Sequence, residues 1–311
     1  MLFEEAYNEY LKIASKQLKK QSFDSLQYNF NSHILPFFIG KKIDELKKID
    51  FLNWKNSIYD LNFSNSYNNT LYVIFNQFLN FCVDFEITAV NYIKEIGNFK
   101  KKNEVNHIDY YTLKEFKQFI NGFDNEIYKQ YFNLLFYTGL RPSEAMALKF
   151  SDLQGNYLNI DKSIQRKGKR LLDSPKTASS IRKIKIDYKL KKDLLNLKKS
   201  YSCNDRDLFI FGGFKPLSPT TIDRYKFKAC VKANIRPITQ HQFRHSHATL
   251  LLNKGVLINE ISRRLGHSKV SITFDVYTHN NSSNEKRVLD ILNFLRFFGS
   301  LQHNFKSIFK H

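Results

Sequence analysis

The sequence is poor in cysteine, and its three thiols, Cys82, Cys203 and Cys230, stand far apart. Disulfide frameworks and zinc motifs need cysteines at short, paired spacings, so neither is indicated. We therefore expect free thiols and a reducing, cytoplasmic location. The chain also lacks any run of about 18 apolar residues, the length that a membrane-spanning helix requires. Its acidic, amphipathic start, MLFEEAYNEYLK, is not that of a signal peptide.

Arginine is absent from the first 100 residues, which contain eleven lysines and eleven acidic residues. The rest of the chain has 38 basic groups against 18 acidic ones and so carries the whole net charge of +20. An excess of this size predicts a polyanionic partner such as nucleic acid. The alternative is a basic protein from an organism rich in lysine, asparagine and isoleucine. Disorder is excluded because apolar residues make up 42% of the chain and are evenly spread.

The pattern of apolar residues divides the chain into two domains. Residues 1–97 show helical periodicity and predict a bundle of four or five helices, the longest of them capped by Ser64 or Ser66. Residues 98–108 are polar and rich in lysine, which is typical of a linker. Residues 109–311 form the second predicted domain, and Thr112 with Glu115 predicts a capping box at its first helix.

The second domain mixes short strands with helices. Residues 157–164 and 181–187 alternate like strands, and helices are predicted at about 187–200, 218–234, 241–254 and 257–265. Gly255 and Gly266 stand where C-cap glycines belong. The predicted fold class is therefore mainly α, a helical bundle followed by a mostly helical domain with a small antiparallel sheet.

Five short patches in the second domain carry groups that bind or transfer phosphate. They are TGLRPSEA (138–145), SPKTASSIRKI (174–184), HQFRHSHA (241–248), LGH (265–267) and DVYTH (275–279). Together they supply two arginines, a lysine, two histidines and a tyrosine, which can position and neutralise a phosphodiester without a metal ion. Each patch alone has low specificity, whereas the ordered set has high specificity.

Arg141 precedes Pro142, a residue suited to the first position of a helix. An arginine there lies beside backbone N–H groups that favour anions, and its fork can hold two phosphate oxygens at once. Glu144 lies three residues further on, on the same helical face, where it can orient the guanidinium. An ordinary surface arginine–glutamate pair is the alternative.

The segment HQFRHSHATLLL places three histidines and Arg244 within two helical turns. His241 and Arg244 share one helical face, so the two side chains are expected to act as a pair. Histidine clusters also bind zinc, but no cysteine or carboxylate is near and no H-E-x-x-H pattern exists. We therefore expect no metal and no other cofactor, with His245 and His247 packing around the site.

His267 precedes Tyr277 by ten residues. On one helix they would stand about 80° apart, so a turn at 266–268 is expected to separate them. A tyrosine nucleophile is chemically sound because phenolate is also a good leaving group, which makes the covalent step reversible. Taken alone, one of 17 tyrosines is more often a packing residue.

Lys176 stands beside Pro175, just before a predicted strand. A lysine at a hairpin tip can enter a DNA groove and donate a proton to a departing oxygen. Lys167, Lys169 and Lys183 are competing candidates, and a solvated basic hairpin is the alternative.

The ordered set resembles the catalytic domain of the tyrosine recombinases, the phage-integrase family, and the resemblance covers most of the chain. It implies that Tyr277 attacks a DNA phosphate to form a 3′-phosphotyrosyl link, which a free 5′-hydroxyl then reverses. It assigns phosphate binding to Arg141, Arg244, His241 and His267, and the general-acid role to Lys176. HILPFFIGKKIDEL and YNNTLYVIFNQFLNFCVDFEI resemble, less specifically, the core-binding domain of integrases.

The same resemblance implies the partners. They are double-stranded DNA at specific recombination sites and a homo-tetramer that exchanges strands through a four-way junction; an accessory directionality factor stays open, and no membrane is expected. PKTxxSxR resembles the pattern of many mobile-element integrases, which favours integration or excision. Chromosome-dimer resolvases share the short layout, in which the arm-binding module of many phage integrases is expected to be absent. Residues 280–311 predict a tail helix, packed in cis or, as in relatives, in trans.

Two further functions compete with recombination. LINEISRRLGHSKVSITF has the local form of a helix-turn-helix, which predicts a regulator without catalytic activity. Such a regulator has no need of Arg141 and Lys176 far upstream. A type IB topoisomerase shares the chemistry but relaxes supercoils without a partner site.

Overall fold

The computed structural model describes residues 1–99, 109–164, 172–173, 181–201 and 207–267. The chain divides into two compact units, residues 1–106 and 107–311. Five predicted features fall outside the described residues, namely residues 100–108 of the linker, Cys203, Lys176 with the lysines at 167 and 169, Tyr277, and the tail 280–311. None of the helices that are described is both long enough and apolar enough to span a bilayer.

The described part of the first unit is helical, which confirms the predicted bundle, but it has six α-helices rather than four or five, because the short helices α3 and α6 are too brief to show a period in the sequence. Its helices are α1 (Phe3–Gln17), α2 (Lys20–His33), α3 (Leu35–Phe38), α4 (Lys48–Asp60), α5 (Asn65–Asp84) and α6 (Tyr92–Ile96). Of the two candidate caps, Ser64 is the one used, and its hydroxyl accepts from the Tyr67 N–H at 3.3 Å.

Aromatic rings fill the interior of the first unit. Phe3, Phe30, Phe38, Phe75 and Phe78 are fully buried, and the Phe3 and Phe38 rings stack with centroids 4.8 Å apart. These residues come from α1, α2, α3 and α5, so one aromatic cluster holds most of the bundle together. Buried rings of this size each remove a large apolar area from water.

Residues 98 and 99, which composition assigns to the linker, contact the first unit. Phe99 is buried against the Tyr59 ring, with centroids 5.0 Å apart. The Lys55 ammonium, itself buried, donates to the carbonyl oxygens of Gly97 at 2.9 Å and Asn98 at 3.0 Å. The Phe99 ring and the Lys55 ammonium hold residues 97–99 in place. The polar composition of the surrounding sequence does not indicate these contacts.

The second unit is mostly helical with short strands, as predicted. Its described helices are α7 (Leu113–Ile120), α8 (Glu126–Thr138), α9 (Pro142–Ala147), α10 (Tyr188–Lys199), α11 (Pro219–Lys232), α12 (Gln242–Asn253) and α13 (Ile258–Leu265). Its described strands are β1 (Leu153–Gln154), β2 (Tyr157–Ile160), β3 (Ser163–Ile164), β4 (Leu172–Asp173) and β5 (Arg182–Lys185). The predicted capping box of α7 is present, since the Glu115 carboxylate accepts from the Thr112 N–H at 2.7 Å.

The strands form two antiparallel sheets. β1, β2 and β5 lie side by side in that order, and Leu158 of β2 pairs with Ile184 of β5. β3 pairs separately with β4. The strand predicted at 157–164 is therefore broken at Asp161–Lys162, where the Lys162 ammonium turns to the buried carboxylate of Asp152 at 2.5 Å. The break is hard to see in the sequence because Leu158, Ile160 and Ile164 keep the same alternate spacing on both sides of it.

Helix α8 lies in the core of the second unit and fixes the neighbours that carry the candidate residues. Phe116 of α7 stacks on Phe136 of α8 with centroids 3.7 Å apart. Phe243 of α12 is fully buried, and its ring contacts Phe132 of α8 at 4.9 Å. Because Phe243 precedes Arg244, this packing determines where the arginine lies.

Candidate active site

Arg141 lies in a tight connection between α8 and α9. Gly139 ends α8 in the left-handed conformation with a φ of +69°, and a Cβ there would lie 2.6 Å from the side chains of His247 and Leu265. Glycine is the residue that adopts this φ without strain and has no Cβ to collide with those side chains. Arg141 then caps α9, and Pro142 occupies the first turn as predicted. The Arg141 side chain remains 32% exposed.

Glu144 holds Arg141 from within α9. The Glu144 carboxylate accepts from the Arg141 backbone N–H and from its Nη1, each at 2.9 Å, so the predicted pair is present. The same carboxylate also accepts from Arg182 of β5, at 3.2 Å from Nη1 and 2.9 Å from Nη2. Glu144 is thus buried between two arginines, so Arg141 and Glu144 are not an ordinary surface pair.

Helix α12 brings Arg244 and His241 to the same place. Arg244 is only 2% exposed, and its Nη1 donates to the Gly139 carbonyl oxygen at 2.9 Å, next to Arg141. His241 is exposed at the N-cap of α12, with its ring 5.2 Å from that of His245. A buried guanidinium at the start of a helix is a strong attractor for an anion.

His267 enters from the end of α13. Gly266 ends that helix in the left-handed conformation, as predicted, and its carbonyl oxygen accepts from Arg141 Nη2 at 3.3 Å. Partial burial, then the charges of Arg244 and Arg141 and those of His241 and His245, lower the pKa of His267 to about 4. Arg141, His241, Arg244 and His267 therefore lie within electrostatic reach of one another, and His267 is neutral near pH 7.

His247 packs behind this group, in line with its predicted role. It is 3% exposed; Arg264 Nε lies 3.1 Å from its Nε2, and its Nδ1 lies 2.8 Å from the Phe136 carbonyl oxygen. Because arginine only donates, Nε2 must accept, which places the ring proton on Nδ1. Burial, then the charge of Arg264, lowers the pKa of His247 to about 3.

The chemistry of the group favours an anion. The side chains that remain accessible, such as Arg141 and His241, are guanidinium and imidazole groups. The buried carboxylate of Glu144 is already shared by two arginines. Within the described ranges, no three histidine, cysteine or acidic side chains converge as metal ligands would. Arginine forks and N–H donors of this kind stabilise the charge of a phosphate undergoing transfer.

Sequence reasoning overlooked two arginines that belong to this arrangement. Arg182 enters the sequence analysis only as the last residue of the PKTxxSxR pattern, with no role of its own, and Arg264 has no part in it. Both contact the site across tertiary interfaces, so neither follows a helical spacing that links it to Arg141. Lys176 and Tyr277 lie outside the described residues.

Comparison with known proteins places the chain in a family. The phage integrase family model matches residues 109–284, and the model of the phage integrase N-terminal SAM-like domain matches residues 2–59. The ICEBs1 integrase of Bacillus subtilis strain 168 is 29% identical over 300 residues, covering 91% of this chain and 80% of its own length.

Solved structures share the fold at low identity. A Tn1549 transposon integrase in complex with transposon right-end DNA has a TM-score of 0.77 at 17% identity, covering 94% of this chain and 100% of that chain. A lambda integrase tetramer bound to a Holliday junction has a TM-score of 0.68 at 17% identity, covering 86% of this chain and 78% of that one.

The fold and the family matches together define a tyrosine-type site-specific DNA recombinase. The chain belongs to the phage integrase family, because that family's model matches more than half of it.

Proposed function

We propose that this recombinase integrates or excises a mobile element, with Tyr277 as its nucleophile and Arg141, His241, Arg244 and His267 as its phosphate-binding residues. The observation that carries the site assignment is the convergence of those four side chains from the starts of α9 and α12 and the end of α13. They are 126 residues apart in sequence at the extremes, yet they share one electrostatic environment.

The reaction is a reversible exchange of phosphodiester bonds. The Tyr277 phenolic oxygen attacks the phosphorus and gives up its proton to solvent, and the bond between the phosphorus and the 5′-oxygen breaks. Lys176 gives the departing oxygen its proton, which leaves a 3′-phosphotyrosyl link and a 5′-hydroxyl. A 5′-hydroxyl of another strand then attacks the link, and tyrosine leaves. The arginines neutralise charge on the non-bridging oxygens throughout.

The nucleophile is tested with a nicked suicide substrate, in which the released 5′ fragment diffuses away and the covalent adduct accumulates. Tyr277→Phe should abolish the adduct while DNA affinity stays within about threefold, since one hydroxyl contributes little to a phosphate-dominated interface. Tyr188→Phe, at an exposed tyrosine on α10, is the matched control and should cleave normally. An adduct that persists in Tyr277→Phe would exclude this residue as the nucleophile.

The assignment to a mobile element, rather than to chromosome-dimer resolution, is supported by two kinds of relative. One is the ICEBs1 integrase, and the other is the Tn1549 transposon integrase. The PKTxxSxR segment agrees with this choice. Sequencing the DNA that flanks the gene tests it, because integration leaves direct repeats at both ends of the inserted element. A lone gene without such repeats would favour the resolvase.

A recombinase that cuts and rejoins two DNA sites needs several copies of its active site. We propose a homo-tetramer on two double-stranded DNA sites in the cytoplasm, a proposal supported by the lambda integrase tetramer on a Holliday junction. Residues 1–97 would act as the core-binding domain, residues 98–108 as the linker, and residues 109–311 as the catalytic domain with its tail helix. The two family models, over 2–59 and 109–284, support this division.

A further inference from the structure

Glu144 is shared by two arginines that differ in access to solvent. The Glu144 side chain is 4% exposed, that of Arg141 is 32% exposed and that of Arg182 is 8% exposed. An incoming phosphate can therefore reach Arg141, whereas Arg182 stays behind the carboxylate. The proposed chemistry uses Arg141 and leaves the second arginine without a function.

Hydrogen bonds fix the carboxylate between them. Oε1 accepts from Arg141 Nη1 at 2.9 Å and from Arg182 Nη1 at 3.2 Å. Oε2 accepts from the Arg141 backbone N–H and from Arg182 Nη2, each at 2.9 Å. Four donors fill the capacity of a carboxylate. Glu144 therefore cannot rotate to take both donors of the Arg141 fork.

The same two arginines also hold the last turn of α13. Arg182 Nε donates to the Arg264 carbonyl oxygen at 2.8 Å, and Arg141 Nη2 donates to the Gly266 carbonyl oxygen at 3.3 Å. The next residue is His267. The start of β5, the start of α9 and the end of α13 are thus joined by one network of ion pairs and hydrogen bonds.

We propose that Arg182 is a positioning residue for phosphate activation in this recombinase. It restrains Glu144 and the end of α13 so that Arg141 and His267 face the same phosphate. The inference rests on the proposed function of the site. Arg182 itself makes no DNA contact, because it is buried behind Glu144.

The charge balance explains why a second arginine is needed. Burial raises the pKa of the Glu144 carboxyl, but the hydrogen bonds and charge of Arg182, followed by those of Arg141, outweigh burial and hold that pKa below its usual value. Without Arg182, the carboxylate loses two donors and competes with the phosphate for the Arg141 fork. It also takes up a proton at a higher pH than before.

The position of Arg182 in the chain adds a second consequence. β5 begins at Arg182, six residues after the proposed acid Lys176. The Arg182 side chain therefore connects β5, the strand that follows Lys176 in the chain, to Glu144 and the end of α13. Displacement of Arg182 should disturb cleavage more than it disturbs binding.

The test compares full-length wild type, Arg182→Gln, Arg182→Lys and a control, Arg236→Gln. Arg236 donates to a carboxylate, that of Glu115, and to the Tyr110 carbonyl oxygen, away from the four phosphate-binding residues. Single-turnover cleavage of the nicked substrate is measured at saturating enzyme over a range of pH, alongside the Kd for DNA. Circular dichroism confirms that each variant is folded.

Arg182→Gln should cleave about 10- to 100-fold more slowly while the Kd changes less than about threefold, the scale expected of a supporting residue. The pH dependence of its rate should be displaced to higher pH relative to wild type, because Glu144 takes up a proton at a higher pH without Arg182. Arg182→Lys keeps the charge and should restore the normal pH profile, yet stay at least about 10-fold slow since it lacks the fork. Arg236→Gln should match wild type.

Normal cleavage by folded Arg182→Gln would overturn the inference, as would a rate loss fully explained by weaker DNA binding. If Arg182→Gln does not fold, Arg182→Lys decides, and wild-type rates from that variant would overturn it. An inactive wild-type protein would contradict the proposed function itself, which is a separate result from an active wild type with an equally active Arg182 variant.

Discussion

At the scale of single residues, the shape of the guanidinium group distinguishes Arg141 and Arg244 from ordinary cations. Lysine has the same charge but presents a point rather than a planar fork. Arg141→Lys and Arg244→Lys should therefore each lower the single-turnover cleavage rate by roughly 10²-fold or more, the usual effect of removing a donor from a transition-state anion. Arg236→Lys is the matched control. Near-normal rates in both site variants would remove these arginines from the chemistry.

The residues at this site differ in how far sequence could predict them. The Arg141–Glu144 pair follows from a spacing of three on one helix, and the structure has it at 2.9 Å. The partnership of Glu144 with Arg182 joins a helix to a strand 38 residues away. No local periodicity encodes such a contact, so it appears only once the chain is folded.

At the scale of elements, His247 joins three helices and makes their packing sensitive to pH. Its ring lies between the Phe136 carbonyl oxygen of α8 and Arg264 of α13, and its own helix is α12. Its native pKa is about 3, and those of His245 and His267 are about 4. In the unfolded chain a histidine has a pKa of about 6.5.

These lowered pKa values set the sign of the pH dependence. Below about pH 6.5 these histidines bind protons in the unfolded chain but not in the native state. The free energy of unfolding therefore declines as the pH falls below that value and is unaffected above it. His247, which is buried, contributes a slope of up to about 1.4 kcal/mol per pH unit between about pH 4.5 and 6.5. His245 and His267 are less buried and contribute less, because solvent screens their charges. Glu144, whose pKa is lowered, loses its stabilising effect only at lower pH.

His247→Gln should therefore reduce the slope of unfolding free energy against pH in that window by about one histidine's share, up to about 1.4 kcal/mol per pH unit. Denaturant unfolding followed by circular dichroism measures this. Fluorescence is a control, because the only tryptophan, Trp54, reports on the first unit. A slope equal to that of wild type would show that His247 is not held neutral in the native state.

Element boundaries were predictable where local chemistry sets them. The capping box at Thr112, the proline after Arg141 and the glycine after α13 all mark ends that the structure has. The break at Asp161–Lys162 depends on the contact of Lys162 with Asp152, and the burial of Phe99 depends on Tyr59. Tertiary contacts of this kind override local periodicity, so the pattern of apolar residues predicts neither feature.

At the scale of the whole molecule, positive charge is divided unequally between the two units. Residues 1–100 are formally neutral, although Lys12–Lys20 and Lys41–Lys48 are locally basic, and the excess lies after them. We expect fragment 105–311 to bind DNA weakly, mostly without sequence preference, and with a steep salt dependence from phosphate contacts. Tight, site-specific binding should need both units.

A salt titration of affinity measures this, with full-length protein and fragment on cognate and scrambled DNA. The full-length chain should discriminate between the two DNAs, while the fragment should not. Equal discrimination by fragment 105–311 would assign sequence recognition to the second unit alone. The first unit would then serve protein–protein contacts.

The central claim is that Tyr277 becomes covalently joined to DNA, and mapping the adduct tests it most directly. Wild-type protein is trapped on a nicked substrate, digested with protease and nuclease, and analysed by mass spectrometry. We predict a single modified peptide that contains Tyr277, joined to the 3′-phosphate, with a free 5′-hydroxyl on the released strand. A nucleotide on any other residue, or a link to the 5′-phosphate, would contradict this account.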